Sequence, residues 1–576
     1  MRTTFFFAVP VTLLLAVMAP SAPAAELAVP GRTPANAHFI VSVPASGEAW
    51  SNVAETPLAA PLESAVAAAI GFGDPQEGTT RQMIESLEED LGYSLALPSL
   101  MTQTLAGLDV YFLDQGGQPG YVANIAFNSP AAASRTFEQV RTEAAHARGV
   151  TRGISADTIL ESTTGQARMI ELPAFEIFLA LEDNVLTYGT QKRFVESAVA
   201  NEGGVLFQST YYHSFMEELR GEDADLWVFG EPIWLLDLVP RERILPVVRT
   251  FFEHPPPLGM KARADSEGLH CITFVPQGEM GAAQRRFTLA APPAGRLAVL
   301  DFLPGNSEFL YATNSFDGVY LFESVLTHLE GQENDLPLSA EALSHAMETS
   351  IDLLGFDIET DLLANVGPDL AIGLWRNEQA AGDEPGLPDL VFVSNLRDPE
   401  RVQDVLLILE EVIDNSLPPA APAGQTGQGE APPPPPLFTE ETIEGQTVRI
   451  ANPERLGNDE TGLRPAYTVT RGSMFVLGFS EEALRLALRA GREEAPSIRQ
   501  DDLYTTHAAV SGGEWNTHWF VRPPVVREYS FLFDFLPVEL PGMIVDPPGM
   551  VDSFSLGGRY SPTGARREVL IHFVPE

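Results

Sequence analysis

The sequence predicts an α+β protein of two tandem similar domains, each a largely antiparallel sheet with helices packed on one face. Three observations predict it. The chain has 576 residues, more than a single hydrophobic core normally organises. Its middle and its end carry one phrase, HCITFVPQ from His270 to Gln277 and LIHFVPE from Leu570 to Glu576. Between these landmarks runs a series of matched segments in a single order, each falling on the same type of element, which is how an internal repeat is recognised.

The repeats are assigned to residues 26–276 and 304–576, with 277–303 as the connector. Each opens on a Pro/Asn turn running into an apolar strand, Pro34-Ala35-Asn36-Ala37-His38-Phe39-Ile40 and Pro304-Gly305-Asn306-Ser307-Glu308-Phe309-Leu310. Leu91-Gly92-Tyr93 and Leu354-Gly355-Phe356 follow, then strand entries at Gly107-Leu108-Asp109-Val110 and Gly367-Pro368-Asp369-Leu370. A second strand gives way to a helix in VANIAFNSPAAASRTFEQV, from Val122, and in LVFVSNLRDPERVQDVLLI, from Leu390. Ser129 and Asp398 are N-cap types, and Pro130 and Pro399 take the first helical position, where a missing N–H costs nothing. Val402, Val405, Leu406, Leu409, Val412 and Ile413 form one apolar stripe at helical spacing, so this helix is expected to lie on a sheet.

Gly165-Gln166 and Gly445-Gln446 continue the series. NVLTYGTQKRFVESAVA, from Asn184, and SMFVLGFSEEALRLALR, from Ser473, both read as strand, glycine, a capping Thr190 or Ser480, and helix. Tyr212 then matches Tyr504, Trp227 matches Trp519 at the same spacing, and Phe274-Val275-Pro276 matches Phe573-Val574-Pro575. The second repeat alone carries PPAAPAGQTGQGEAPPPPP, Pro418 to Pro436. That composition buries nothing, so 416–437 is expected to be a disordered, polyproline-like surface loop.

Met1-Arg2, the apolar stretch Phe5 to Met18 and Ala22-Pro23-Ala24 read as a signal peptide over residues 1–25, cut after Ala24 or Ala25. The apolar stretch is shorter than the ~20 residues a spanning helix needs, and no later stretch supplies one. An exported chain, periplasmic or extracellular, is expected. Cys271 is the sole cysteine, so no intrachain disulfide can form. The net charge is −44, from 79 acidic against 35 basic residues, a surface that repels nucleic acid and anionic headgroups.

The quoted segments TPANAHFIVSVPASGEAW, ETPLAAPLESAV, LGFDIETDLLANVGPDLAIGLW, DPERVQDVLLILEEV and VLGFSEEALRLAL together resemble exported bacterial proteins of the domain-of-unknown-function 3352 family. The resemblance rests on turn and packing residues. It departs at Arg32-Thr33-Pro34-Ala35-Asn36, where the family shows a Leu-Pro-Ala-Asp opening. It implies no activity and supplies no catalytic residue.

Reactive motifs fare poorly. Lys192 precedes Arg193 and Lys261 precedes Ala262, which excludes a Walker-type phosphate loop. GGQPGY, Gly116 to Tyr121, lies between strands as a hairpin loop. DIETD, Asp357 to Asp361, lacks the glycine and the terminal Glu of a calcium loop, and GEDAD from Gly221 reads as a solvated acidic turn. His270 and Cys271, neighbours on a strand, point to opposite faces and cannot share a proton. Neither a metal nor a cofactor is implied.

Two candidate sites remain. Trp227, Trp519, Tyr212 and Tyr504 could line an aromatic groove for a protein, peptide or apolar ligand, with core packing as the competing reading. His507 and His518, which flank Gly512-Gly513, are the candidate bases of an alternative hydrolase assembled from dispersed residues. The expectation is a binding or envelope-interaction module without intrinsic chemistry.

Overall fold

In the computed structural model the described residues are 32–34, 37–54, 91–92, 99–114, 119–150, 160–164, 166–172, 177–201, 210–219, 224–231, 257–265, 268–280, 291–319, 355–376, 388–416, 435–452, 464–470, 472–510, 513–529 and 551–574, with isolated positions at 56, 59 and 455. The expected signal peptide, residues 417–434 of the proline-rich loop, and 281–290 of the connector lie outside them. The protein is a mixed helix-and-strand fold dominated by antiparallel sheet, and it divides into two compact units.

The first unit contains β1 (Ala37–Val43), α1 (Ser46–Ala54), β2 (Leu105–Asp114), β3 (Pro119–Phe127), α2 (Pro130–Val150), β4 (Leu160–Thr164), β5 (Ala167–Leu172), β6 (Ile177–Glu182), β7 (Val185–Gly189), α3 (Lys192–Ala200), α4 (Thr210–Glu218), β8 (Leu226–Gly230), β9 (Leu258–Ala264) and β10 (Gly268–Pro276). Its strands pair in the order β4-β5-β6-β7-β3-β2-β1-β8-β9-β10.

The second unit contains β11 (Phe309–Thr313), β12 (Val366–Trp375), β13 (Asp389–Leu396), α5 (Pro399–Ser416), β14 (Phe438–Ile443), β15 (Gln446–Ala451), β16 (Ala466–Val469), β17 (Met474–Gly478), α6 (Glu481–Ala490), α7 (Asp502–Val510), β18 (Thr517–Val521), α8 (Pro523–Glu528) and, from Ser553 onward, β19 (Val551–Tyr560). Its order is β14-β15-β16-β17-β13-β12-β11-β18-β19, which follows the first unit's order from β4 through β9.

The last strand, β20 (Gly564–Phe573), pairs with β10, from Gly268↔His572 to Pro276↔Gly564. The two repeated phrases therefore lie side by side. Sequence repeat and compact unit part company here: Pro562–Glu576 closes the second repeat in sequence but packs with the first unit, because the free edge of β10 takes it up along its whole length.

Helices cover both faces of the first unit's sheet, a correction to the one-face expectation. Met169 on β5 packs with Ala180 and with Val195 of α3. Its neighbour Ile170 turns the other way, joining Leu179, Leu181 and Leu186 under Ala133 and Phe137 of α2. Strands buried on both sides read as apolar runs, as in FIVSV of β1, instead of alternating.

The helix starts follow the caps. Ala132 N–H donates to Ser129 Oγ (3.2 Å), Arg401 N–H to Asp398 Oδ1 (3.0 Å) and Ala483 N–H to Ser480 Oγ (3.0 Å). Thr190 does not cap α3; its Oγ1 accepts from Tyr121 N–H, and Gln191 holds the cap position. The stripe on α5 also departs from expectation. Val402 and Val405 are buried, yet Ile413 is 47% exposed. The same helix buries Glu410 against Arg449 of β15 and the Tyr467 hydroxyl of β16, so an ion pair helps to seat its second half.

Candidate functional site

Trp227 on β8 and Tyr212 on α4 meet in one core with Phe215, Phe229 and Phe274. Phe215 stands edge-on to Trp227 (5.8 Å between ring centres) and Tyr212 edge-on to Phe229 (5.1 Å). Edge-on aromatic pairs add about 0.5–1.5 kcal/mol beyond their buried area. Tyr504 on α7 likewise stands edge-on to Phe520 (5.6 Å), inside the second unit's core. Trp519 turns to the opposite face of β18, against Phe309 and Tyr311. The structure thus joins Tyr212 to Trp227 and separates Tyr504 from Trp519.

Strand register explains the separation. With Phe39 set against Phe309, Ser42 of β1 corresponds to Ala312 of β11. Ser42 opposes Trp227, whereas Ala312 opposes His518. The residue in Trp227's place is His518, and a one-residue step along a strand reverses the face. The common spacing in sequence paired the wrong neighbours.

This register reveals a substitution of chemistry. Where the first unit packs Phe215 on Trp227, the second holds His507 and His518, each 1% exposed. Gly259 opposes Phe229 and lies directly under the Phe215 ring; Ser555 opposes Phe520 and lies under His507. Nδ1 of His507 is 2.6 Å from Ser555 Oγ and Nε2 is 2.7 Å from Ser553 Oγ. A neutral imidazole donates through one nitrogen and accepts through the other, so two hydroxyls satisfy it.

His518 Nδ1 lies 3.2 Å from the Tyr504 hydroxyl, and its ring stacks on Trp515 (4.0 Å, 2° between planes). Trp515 covers Gly557, where a Cβ would fall 2.2 Å from the indole Nε1. Burial, then the charges of His507 and Arg499, pushes the His518 imidazolium down to about 3. Ser553 and His507 have the spacing of a nucleophile and its base. Both are enclosed, at 0% and 1% exposure, so no substrate reaches them in this conformation.

The first unit carries a second buried polar feature that the sequence reading missed. Thr187, Asn124, Asp109, Ser42, Trp227 and Lys261 oppose one another in turn across β7, β3, β2, β1, β8 and β9, forming a transverse row on one face. All are buried. Ser42 Oγ donates to Asp109 Oδ1 (2.5 Å), and Thr187 Oγ1 donates to Asn124 Oδ1 (2.9 Å). Arg32 reaches in from the chain before β1, with Nη1 donating to Thr187 Oγ1 and Nη2 to Glu182 Oε2, both at 2.6 Å. Asn124 Nδ2 donates back to the Arg32 carbonyl (2.6 Å).

Burial raises the Tyr111 and Tyr212 phenols above their ordinary range, and the nearby Asp109 adds to both. The corresponding row of the second unit is Val476, Val393, Ala371, Ala312, His518 and Gly557. The signal was a polar residue at an inward-facing strand position, as in GLDVYF and VANIAF.

Elsewhere, burial pushes the Cys271 thiol up to about 12, so little nucleophilic thiolate forms near neutral pH. Asp361 is paired with Arg401 at 2.6 Å. Asp225, expected in a solvated acidic turn, is 1% exposed; burial raises its carboxyl to about 8, while Oδ2 accepts from Ala264 N–H (3.1 Å). Among the described residues no group of three or more His, Cys, Asp or Glu could hold a metal ion, and no helix is long and apolar enough to cross a membrane. A scan of protein-family models and searches of curated proteins and solved structures find nothing that matches this chain.

Proposed function

We propose that this chain is an exported binding or envelope-interaction module, built from a duplicated sheet unit and acting without chemistry of its own. The shared strand order of the two units supports the duplication, and the leader-like first residues together with the acidic surface support an exported module. The observation that carries the non-enzymatic reading is the enclosure of His507, His518, Ser553 and Ser555, the groups best suited to acid–base and nucleophilic work, in a core where both nitrogens of His507 are engaged by the two serines and Nδ1 of His518 by Tyr504. The family resemblance carried by the turn and packing residues agrees with a chain that keeps its architecture and not a reactive constellation.

Affinity capture from the native host, paired with ester and amide hydrolysis assays on the mature protein, tests this. Recovery of one envelope component without turnover is expected. Hydrolysis abolished by Ser553→Ala with the fold retained would replace the module with the hydrolase.

A further inference from the structure

We propose that His507 and His518 make the second unit acid-responsive, the packing of α7 on β18 and β19 opening as the pH falls below neutrality. The first unit fills the same two positions with Phe215 and Trp227, so the fold can be built there without ionisable groups. Two imidazoles in one core are therefore not demanded by the architecture, and they are the side chains whose charge changes between about pH 5 and 8.

The surroundings of His518 disfavour that charge. Tyr504 faces His518 from α7, its phenol raised by burial and thus neutral. Ser553 and Ser555 face His507 from β19, and Trp515 covers His518. Ala312 opposes His518 from β11. The charged side chain that bears on His518 is Arg499, a cation, in the turn Ile498–Gln500. The acids beside that turn are engaged, Asp301 with Arg499 and Asp501 with Arg522, each at 2.7 Å.

The sign follows. The folded His518 imidazolium lies at about 3, below the ordinary 6.5 of an exposed ring. Its contribution is whole above about pH 6.5 and is lost progressively as the pH falls toward 3, because the open form takes up a proton that the closed form refuses.

Hydrogen-exchange protection of β18 and β19 amides in the full chain, measured between pH 7 and 5, tests the proposal. His518 alone predicts roughly a 25-fold loss of protection over that interval. Carboxylates of ordinary acidity barely titrate in this window. Wild-type protection that stays constant overturns the proposal outright. His518→Phe, which keeps a ring on Trp515, is expected to flatten the dependence, and an undiminished loss in that variant also overturns it. Should the variant not fold, proton uptake on opening decides, read as the slope of log protection against pH in the wild type: a slope near zero between pH 5 and 6 refutes the role of the histidines.

Discussion

Removing the Arg32 side chain probes the buried polar row where it is most exposed to argument. Arg32→Ala deletes the contacts to Glu182 and Thr187 at once. Losing one partner of a buried pair typically costs about 3–5 kcal/mol. Two facts lower that here: Glu182 is 31% exposed and regains water, and Thr187 keeps its bond to Asn124. The expected loss is about 2–3 kcal/mol, equivalent to roughly a 30- to 150-fold drop in amide protection across β3 and β7.

The second unit indicates how to restore it. At the spacing that sets Phe39 against Phe309, Phe302 falls at the position of Arg32, and the strand register puts Val393 and Val476 at those of Asn124 and Thr187; all three belong to or pack against one apolar core. Replacing buried polar groups together by apolar ones of suitable shape is often neutral or stabilising. The triple variant R32F/N124V/T187V is therefore expected to recover most of the protection that Arg32→Ala loses. A triple variant no more protected than Arg32→Ala would refute both the equivalence of the rows and the register behind it.

Asp225 gives a pH dependence of opposite sense. Its folded pKa, about 8, lies above the unfolded value, so stability is whole below about pH 4 and declines as the pH rises to 8, by up to about 1.4 kcal/mol per unit. Asp225→Asn should flatten this decline in urea unfolding of the first unit; an unchanged decline would show that Asp225 is ionised in the fold. At Gly557 a methyl group would fall 2.2 Å from the Trp515 indole nitrogen, so Gly557→Ala should cost about 1–3 kcal/mol and shift the Trp515 fluorescence. A variant matching the wild type in both would mean that Trp515 does not cover β19.

The elements were largely legible from sequence because caps, turns and apolar runs are local. Ser129, Asp398 and Ser480 cap as their residue types require, and the hairpin of β2 and β3 closes across the glycine-rich segment, with Asp114 opposite Pro119. Register was not legible. Whether Trp227 corresponds to Trp519 or to His518 depends on which residue faces β1 or β11, and matching aromatic letters favoured the wrong one. Burial of polar side chains was equally hidden: Asp109, Asn124 and Asp225 look like surface residues until the strands beside them are placed. The partner of the closing strand was hidden for a related reason, since likeness in sequence does not say which strand a segment pairs with, and β20 pairs with β10.

One strand order, used twice and ending on two strands that lie side by side, is open to covalent test. Cys271 on β10 opposes Val569 on β20, and directly opposed antiparallel residues have Cα atoms about 4.5–5.5 Å apart, within disulfide reach. Val569→Cys, refolded under mild oxidation, should form an intrachain disulfide with Cys271, whereas Leu570→Cys, on the reverse face, should not. Efficient crosslinking of Leu570→Cys with none for Val569→Cys would contradict the pairing.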